Sequence, residues 1–182
     1  PFTTRTLQQE AYRKLGFTTQ KTMMVAQQLY EGVEVKGEGA VGLVTYIRTD
    51  STRIAEQAQR EALEYIRGKY GQQYLPEKPN QYKGKKGIQD AHEAIRPTSV
   101  LRDPELIKDS LTNDQYKLYR LIYDRFLASQ MAPALYETMT VDIAGDNGYI
   151  FRATGSRKTF AGYTIIYMEG SDNESAEKEK ED

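Results

Sequence analysis

The sequence predicts a mixed fold, predominantly α, in which a helical domain over residues 1–134 is followed by a short antiparallel β meander over 135–168 from an incomplete second domain. Three observations lead there. Capped apolar stripes at helical spacing recur through the first 130 residues. After Pro133 the period changes to the two-residue alternation of strands. From Glu169 onward seven acids and two lysines replace any apolar pattern, so 169–182 reads as a disordered acidic tail.

The elements follow in order. Thr3 or Thr4 can cap a first helix over 3–15, which Gly16 ends. Thr18 or Thr19 caps a second helix to about Tyr30, with Met23, Ala26 and Tyr30 on one stripe, broken by Gly32. The four glycines of 32–42 read as a mobile loop. Residues 42–47 (GLVTYI) are β-branched and short, as in a buried strand, and RTDS turns after them. Asp50 or Ser51 caps a helix over about 52–70, with Ile54, Ala58, Ala62, Tyr65 and Ile66 facing inward. Residues 71–88 form a loop rich in Gly, Pro and Asn; 89–96 form a short helix stopped by Pro97; Asp103-Pro104 opens another over 104–110. Thr112 and Gln115 have capping-box spacing for a helix over about 113–130, with Leu118, Leu121, Ile122 and Phe126 as its stripe. Strands are expected over 135–144, over YIFRATG after the Gly145–Gly148 turn, and over 159–168.

Composition excludes several classes. No apolar run approaches the roughly 18 residues of a membrane helix. The polar start lacks the apolar core of a signal peptide. The absence of cysteine removes disulfides and thiolate metal sites from this chain and fits a cytoplasmic protein. The chain opens on Pro-Phe-Thr-Thr without an initiator methionine, the form expected of an excised piece. The net charge of −1 conceals a mildly basic body joined to the acidic tail, a balance that permits contact with nucleic acid.

Three groups of residues could carry chemistry. Tyr46 and Arg48 stand two apart on the expected strand and would share a face. A guanidinium beside a phenol suits a phosphate, because it binds the oxygens bidentately and neutralises charge in phosphoryl transfer. A core tyrosine beside a surface arginine has the same spacing, and the chain has 14 tyrosines. His92, the single histidine, and Arg96 would share a helical face, able to donate to a phosphate or move a proton; an ordinary surface histidine would look alike. Lys78 to Lys86, interleaved with Tyr74 and Tyr82, could hold a single strand or simply be a solvated loop. No spacing suggests metal ligands.

Taken together, PFTTRTLQQEA, KTMMVAQQLYEG, GLVTYIRTDS and QDAHEAIRPT, in that order, resemble the bacterial type IA DNA topoisomerases over roughly residues 1–168. TYIRTDS and AHEAIRPT at this separation are the most specific part. The resemblance implies that Tyr46 is the nucleophile that becomes linked to a 5′ phosphate, and that Arg48 helps to hold the scissile phosphate. It implies that His92 contacts DNA near the cut, with Thr49, Asp50, Ser51 and Arg96 in support. It implies a helical tyrosine-bearing domain, residues 1–134, inserted in a β-rich arch to which 135–168 would belong, with 32–42 a variable surface loop. The partner is a single-stranded segment of underwound DNA, and the enzyme a cytoplasmic, nucleoid-associated monomer that uses Mg2+ and no ATP. The acidic metal-binding domain, with its glutamate and lysine, is not in this sequence, so this chain alone is expected not to relax DNA. The alternative is a non-catalytic module that binds single-stranded nucleic acid.

Overall fold

In the computed structural model, residues 1–82 and 92–170 are described. They form four helices and two separate antiparallel hairpins. Helix α1 spans Thr4–Leu15 and α2 spans Thr19–Glu31. Thr3 caps α1 reciprocally with Thr6, and Thr18 accepts from the Lys21 N–H at 3.2 Å. Gly16, at φ 66°, takes the left-handed turn that ends α1, a conformation costly for a residue with a Cβ. Both helices start and end where the sequence signals place them because caps are local, but the expected stripe of α2 is corrected: Thr22, Val25, Ala26 and Leu29 are buried, whereas Met23 is half-buried and Tyr30 exposed.

Helix α3 (Glu56–Tyr70) starts four residues later than expected. Asp50 and Ser51 do not cap it; the Ser51 hydroxyl instead accepts from the Arg53 N–H at 3.2 Å, holding a turn. Helix α4 (Asn113–Ser129) carries the expected capping box between Thr112 and Gln115. It is the centre of the core: Leu118, Tyr119, Ile122, Phe126 and Leu127 are buried, and α2 and α1 pack on it through Leu29, Val25, Leu7 and Ala11.

Four further expectations are corrected. Residues 32–42 are not a loop but the hairpin of β1 (Val33–Val35) and β2 (Gly39–Val41), with Val33 opposite Val41. Its glycines serve the turn, Gly37 and Gly39 having positive φ, and Val35 is buried. Residues 42–47 are not a strand. Among the described residues their only bridge is Val44 to Pro97, because their backbone groups bond to three different segments rather than to one ladder. The described part of the expected helix 89–96, residues 92–96, is extended; Ile95 bridges Phe2, and Ala94 N–H donates to Arg53 O. Gln89 and Asp90 lie outside the described residues, as do Lys83, Lys85, Lys86 and 171–182. Residues 104–110 give turns and one 3-10 turn, Lys108–Ser110, although the Asp103 carboxylate accepts from the Glu105 N–H as an N-cap would.

After α4 the chain leaves for the second hairpin, β3 (Leu135–Ala144) with β4 (Ile150–Phe160). The expected third strand over 159–168 does not form. Beyond Phe160 a 3-10 turn, Gly162–Ile165, brings the chain back to its point of departure: Tyr163 N–H donates to Ala132 O at 3.0 Å, and a Cβ on Gly162 would lie 2.4 Å from the Pro133 carbonyl carbon. Tyr167 is then buried edge-on against Phe2, and its hydroxyl donates to buried Glu10. Burial alone would raise the Glu10 pKa; that hydrogen bond, the Gly170 N–H and Arg13 together hold it below the ordinary carboxylate range.

Candidate functional site

The stretch 43–49 owes its shape to partners on three sides. Leu43 N–H donates to Leu29 O at 2.8 Å, the end of α2. Thr45 is zipped to the 94–96 segment: its N–H reaches Arg96 O at 2.9 Å, its hydroxyl donates to Ala94 O at 2.7 Å and accepts from Arg96 N–H at 3.0 Å. Thr49 is held at the start of α1, where Thr4 N–H donates to Thr49 O and Thr49 N–H returns a bond to Thr4 Oγ1, both at 2.9 Å. The Thr4 hydroxyl also donates to Ile47 O at 2.7 Å. Leu43, Val44 and Ile47 turn into the core, which leaves Tyr46 and Arg48 outside.

Tyr46 is 43% exposed, and its ring has two aromatic neighbours. Tyr30, near the end of α2, meets it nearly edge to face, with centroids 5.4 Å apart and planes at 66°. The His92 ring lies at 6.2 Å and 30°. The structure therefore brings together two of the residues expected from the sequence, Tyr46 and His92, from segments 46 positions apart. Arg48 is exposed and forms no ion pair with a described residue, so its guanidinium stays available for an anion.

The remaining expected residues are used differently. Arg96 is half-buried; its Nε donates to Glu93 at 2.7 Å and its Nη1 to Pro97 O at 3.0 Å, so it shapes its own segment. The Thr49 hydroxyl accepts from Ser51 N–H at 3.0 Å, and Ser51 is buried. Asp50 is exposed beside them. His92 and Arg96 share no helical face, since no helix is present. Sequence reasoning missed Tyr30 and Thr45. Both lie within the quoted strings, but their importance comes from contacts across chain segments, which spacing does not reveal.

The aromatics of the basic loop are occupied internally. Tyr82 donates to Ser129 O at 2.6 Å, and Tyr74 packs on Phe160 with centroids 5.1 Å apart. A separate cleft of about 210 Å³ is lined by Lys69, Tyr70, Asp103, Arg120, Tyr123 and Asp124, among others. Among the described residues no group of three or more His, Cys, Asp or Glu is placed to hold a metal ion.

Comparison with known proteins agrees with the geometry. Residues 1–182 match a family described as DNA topoisomerase. Among solved structures, full-length topoisomerase I from Thermotoga maritima is 44% identical, with a TM-score of 0.78 over 94% of this chain and 29% of that one. The chain thus spans less than a third of the length of that topoisomerase.

Proposed function

This chain belongs to the bacterial type IA DNA topoisomerase family, and from that premise we propose that Tyr46 is the nucleophile of a transient single-strand cut. The observation that carries the proposal is an exposed phenol, with the Tyr30 and His92 rings beside it, on a segment pinned from three sides and followed by an exposed arginine.

The Tyr46 oxygen attacks the phosphorus of a DNA phosphodiester. The new O–P bond forms as the P–O3′ bond breaks; the phenol gives up its proton and the departing 3′ oxygen takes one up. The product is a 5′-phosphotyrosine and a free 3′ hydroxyl. One ester has replaced another, so the bond energy is conserved and the 3′ hydroxyl reverses the attack without ATP. Arg48 binds the non-bridging oxygens and offsets the charge gathering on them. His92 donates to the backbone beside the cut. Thr49, Asp50, Ser51 and Arg96 are the DNA-binding residues expected around the site; Thr49, Ser51 and Arg96 also fix the chain there, and Asp50 is exposed. Passage of the intact strand before rejoining makes the net reaction an isomerisation that relaxes supercoils. The substrate is a single-stranded segment of underwound duplex. In the full enzyme Mg2+ would be held by the acidic domain that the family resemblance implies. The enzyme acts as a monomer in the cytoplasm, and this chain by itself is inactive. Among the described residues no helix is long and apolar enough to cross a membrane.

The test is adduct trapping. Full-length enzyme is mixed with a labelled single-stranded oligonucleotide and denatured, and protein-bound label is counted. Tyr46→Phe is expected to abolish the adduct, and Arg48→Ala to reduce it while single-strand binding persists. An adduct that survives Tyr46→Phe overturns the assignment.

A further inference from the structure

We infer that Tyr30 is a positioning residue for Tyr46, an inference that rests on the reading of Tyr46 as nucleophile. The backbone bonds described above fix the Cα of Tyr46 but leave its ring free to swing about two side-chain torsions. The phenol oxygen makes no hydrogen bond to a described residue that would stop it. What limits the swing is its two neighbouring rings, and the nearer of these belongs to Tyr30.

Tyr30 is itself held by main-chain contacts. The carbonyl of the preceding residue, Leu29, accepts from Leu43 N–H, and Leu29 is fully buried. Gly42 lies so close to the Tyr30 carbonyl that a Cβ there would come within 2.9 Å of it. The last turn of α2 is therefore docked on the stretch that leads into Tyr46, and the register between the two tyrosines is set by backbone.

Tyr30 is not needed for the core. The buried face of α2 is Thr22, Val25, Ala26 and Leu29, while Tyr30 is 39% exposed. Its hydroxyl has no hydrogen bond among the described residues, so the ring is the part in use. An edge-to-face neighbour restrains a ring by shape and quadrupole. Displacing a reacting oxygen by about an ångström is enough to cost up to about a hundredfold in rate.

The experiment measures single-turnover cleavage by the full-length enzyme at saturating single-stranded oligonucleotide, with the dissociation constant measured separately. Tyr30→Ala and Tyr30→Leu are expected to slow cleavage about tenfold, with affinity changed less than about twofold and the melting temperature unchanged. Tyr30→Phe is expected to retain the parent rate. The inference is overturned if Tyr30→Ala and Tyr30→Leu cleave at the parent rate, if they weaken binding alone, or if Tyr30→Phe is as slow as they are. Binding loss alone would make the ring a platform for DNA. Tyr46→Phe in the same assay separates the two claims: an adduct there defeats the nucleophile assignment, whereas loss there with a normal Tyr30→Ala defeats only this inference.

Discussion

The segment that carries Tyr46 and the β3–β4 hairpin are held in opposite ways. Residues 43–49 contain no regular element, yet their backbone is bonded to α2, to the 94–98 segment and to the start of α1, and three of their side chains are buried. The hairpin is regular along almost all of its length, but none of its side chains is buried. Its two faces still differ. Met139, Val141, Ile143, Phe151 and Ala153 share one, while Thr138, Thr140, Asp142, Arg152 and Thr154 share the other. Regularity of secondary structure thus says little about how firmly a segment is anchored. Anchoring comes from tertiary partners, and an irregular segment collects more kinds of partner because its backbone groups are not spent on one ladder.

The comparison can be broken most directly in the core. Phe126→Ala on α4 is expected to cost about 3–5 kcal/mol of unfolding free energy, whereas Phe151→Ala in the hairpin should change it by less than about 0.5 kcal/mol. Denaturant melts of the two variants check the contrast; equal losses would mean that the hairpin is part of the same core. A smaller effect is expected where the site segment is zipped. Thr45→Val removes a hydroxyl that both donates to Ala94 O and accepts from Arg96 N–H, leaving the latter without its acceptor. The expected cost is about 1–3 kcal/mol, with a loss of adduct formation larger than any loss of DNA binding, both readable on the same preparation.

The smallest effect concerns Asp124, in the cleft beside Lys69 and Asp103. Burial, opposed by Arg120 at 3.5 Å, pushes its carboxyl up to about 6. A pKa raised in the folded state favours folding while the group is protonated. That contribution is whole below the unfolded value of about 3.9 and is lost as pH rises through about 6. Asp124→Asn should therefore match the parent near pH 4 and exceed it by on the order of 1 kcal/mol at pH 7.5. Melts at the two pH values decide this, and a variant less stable at pH 7.5 would show that the Arg120 pair outweighs the burial.

What was legible in the sequence divides along the same line. Helices α1, α2 and α4 could be read because Thr3, Thr18 and the Thr112–Gln115 box act within one turn of their own residues. Residues 92–96 could not. AHEAIR has local helix propensity, but Phe2 and Thr45, far away in the chain, hold its described part, 92–96, extended. The β-branched run at 43–47 promised a strand, and Leu43, Val44 and Ile47 are buried, but among the described residues no neighbouring strand pairs with it. The glycines of 32–42 hid a hairpin because turn residues and loop residues are the same kinds. At the candidate site, Tyr46, Arg48 and His92 came from motif resemblance. Tyr30 and Thr45 needed the fold, since their roles exist only where segments meet.

The return of the chain at Tyr163 to the place it left at Ala132 makes the hairpin a detour. In the language of chain connectivity, the helical part is already closed without it, and Pro133 and Gly162 are near enough to be neighbours. Splicing one to the other would shorten the polypeptide without removing a single buried side chain, and Tyr167 would still find Glu10.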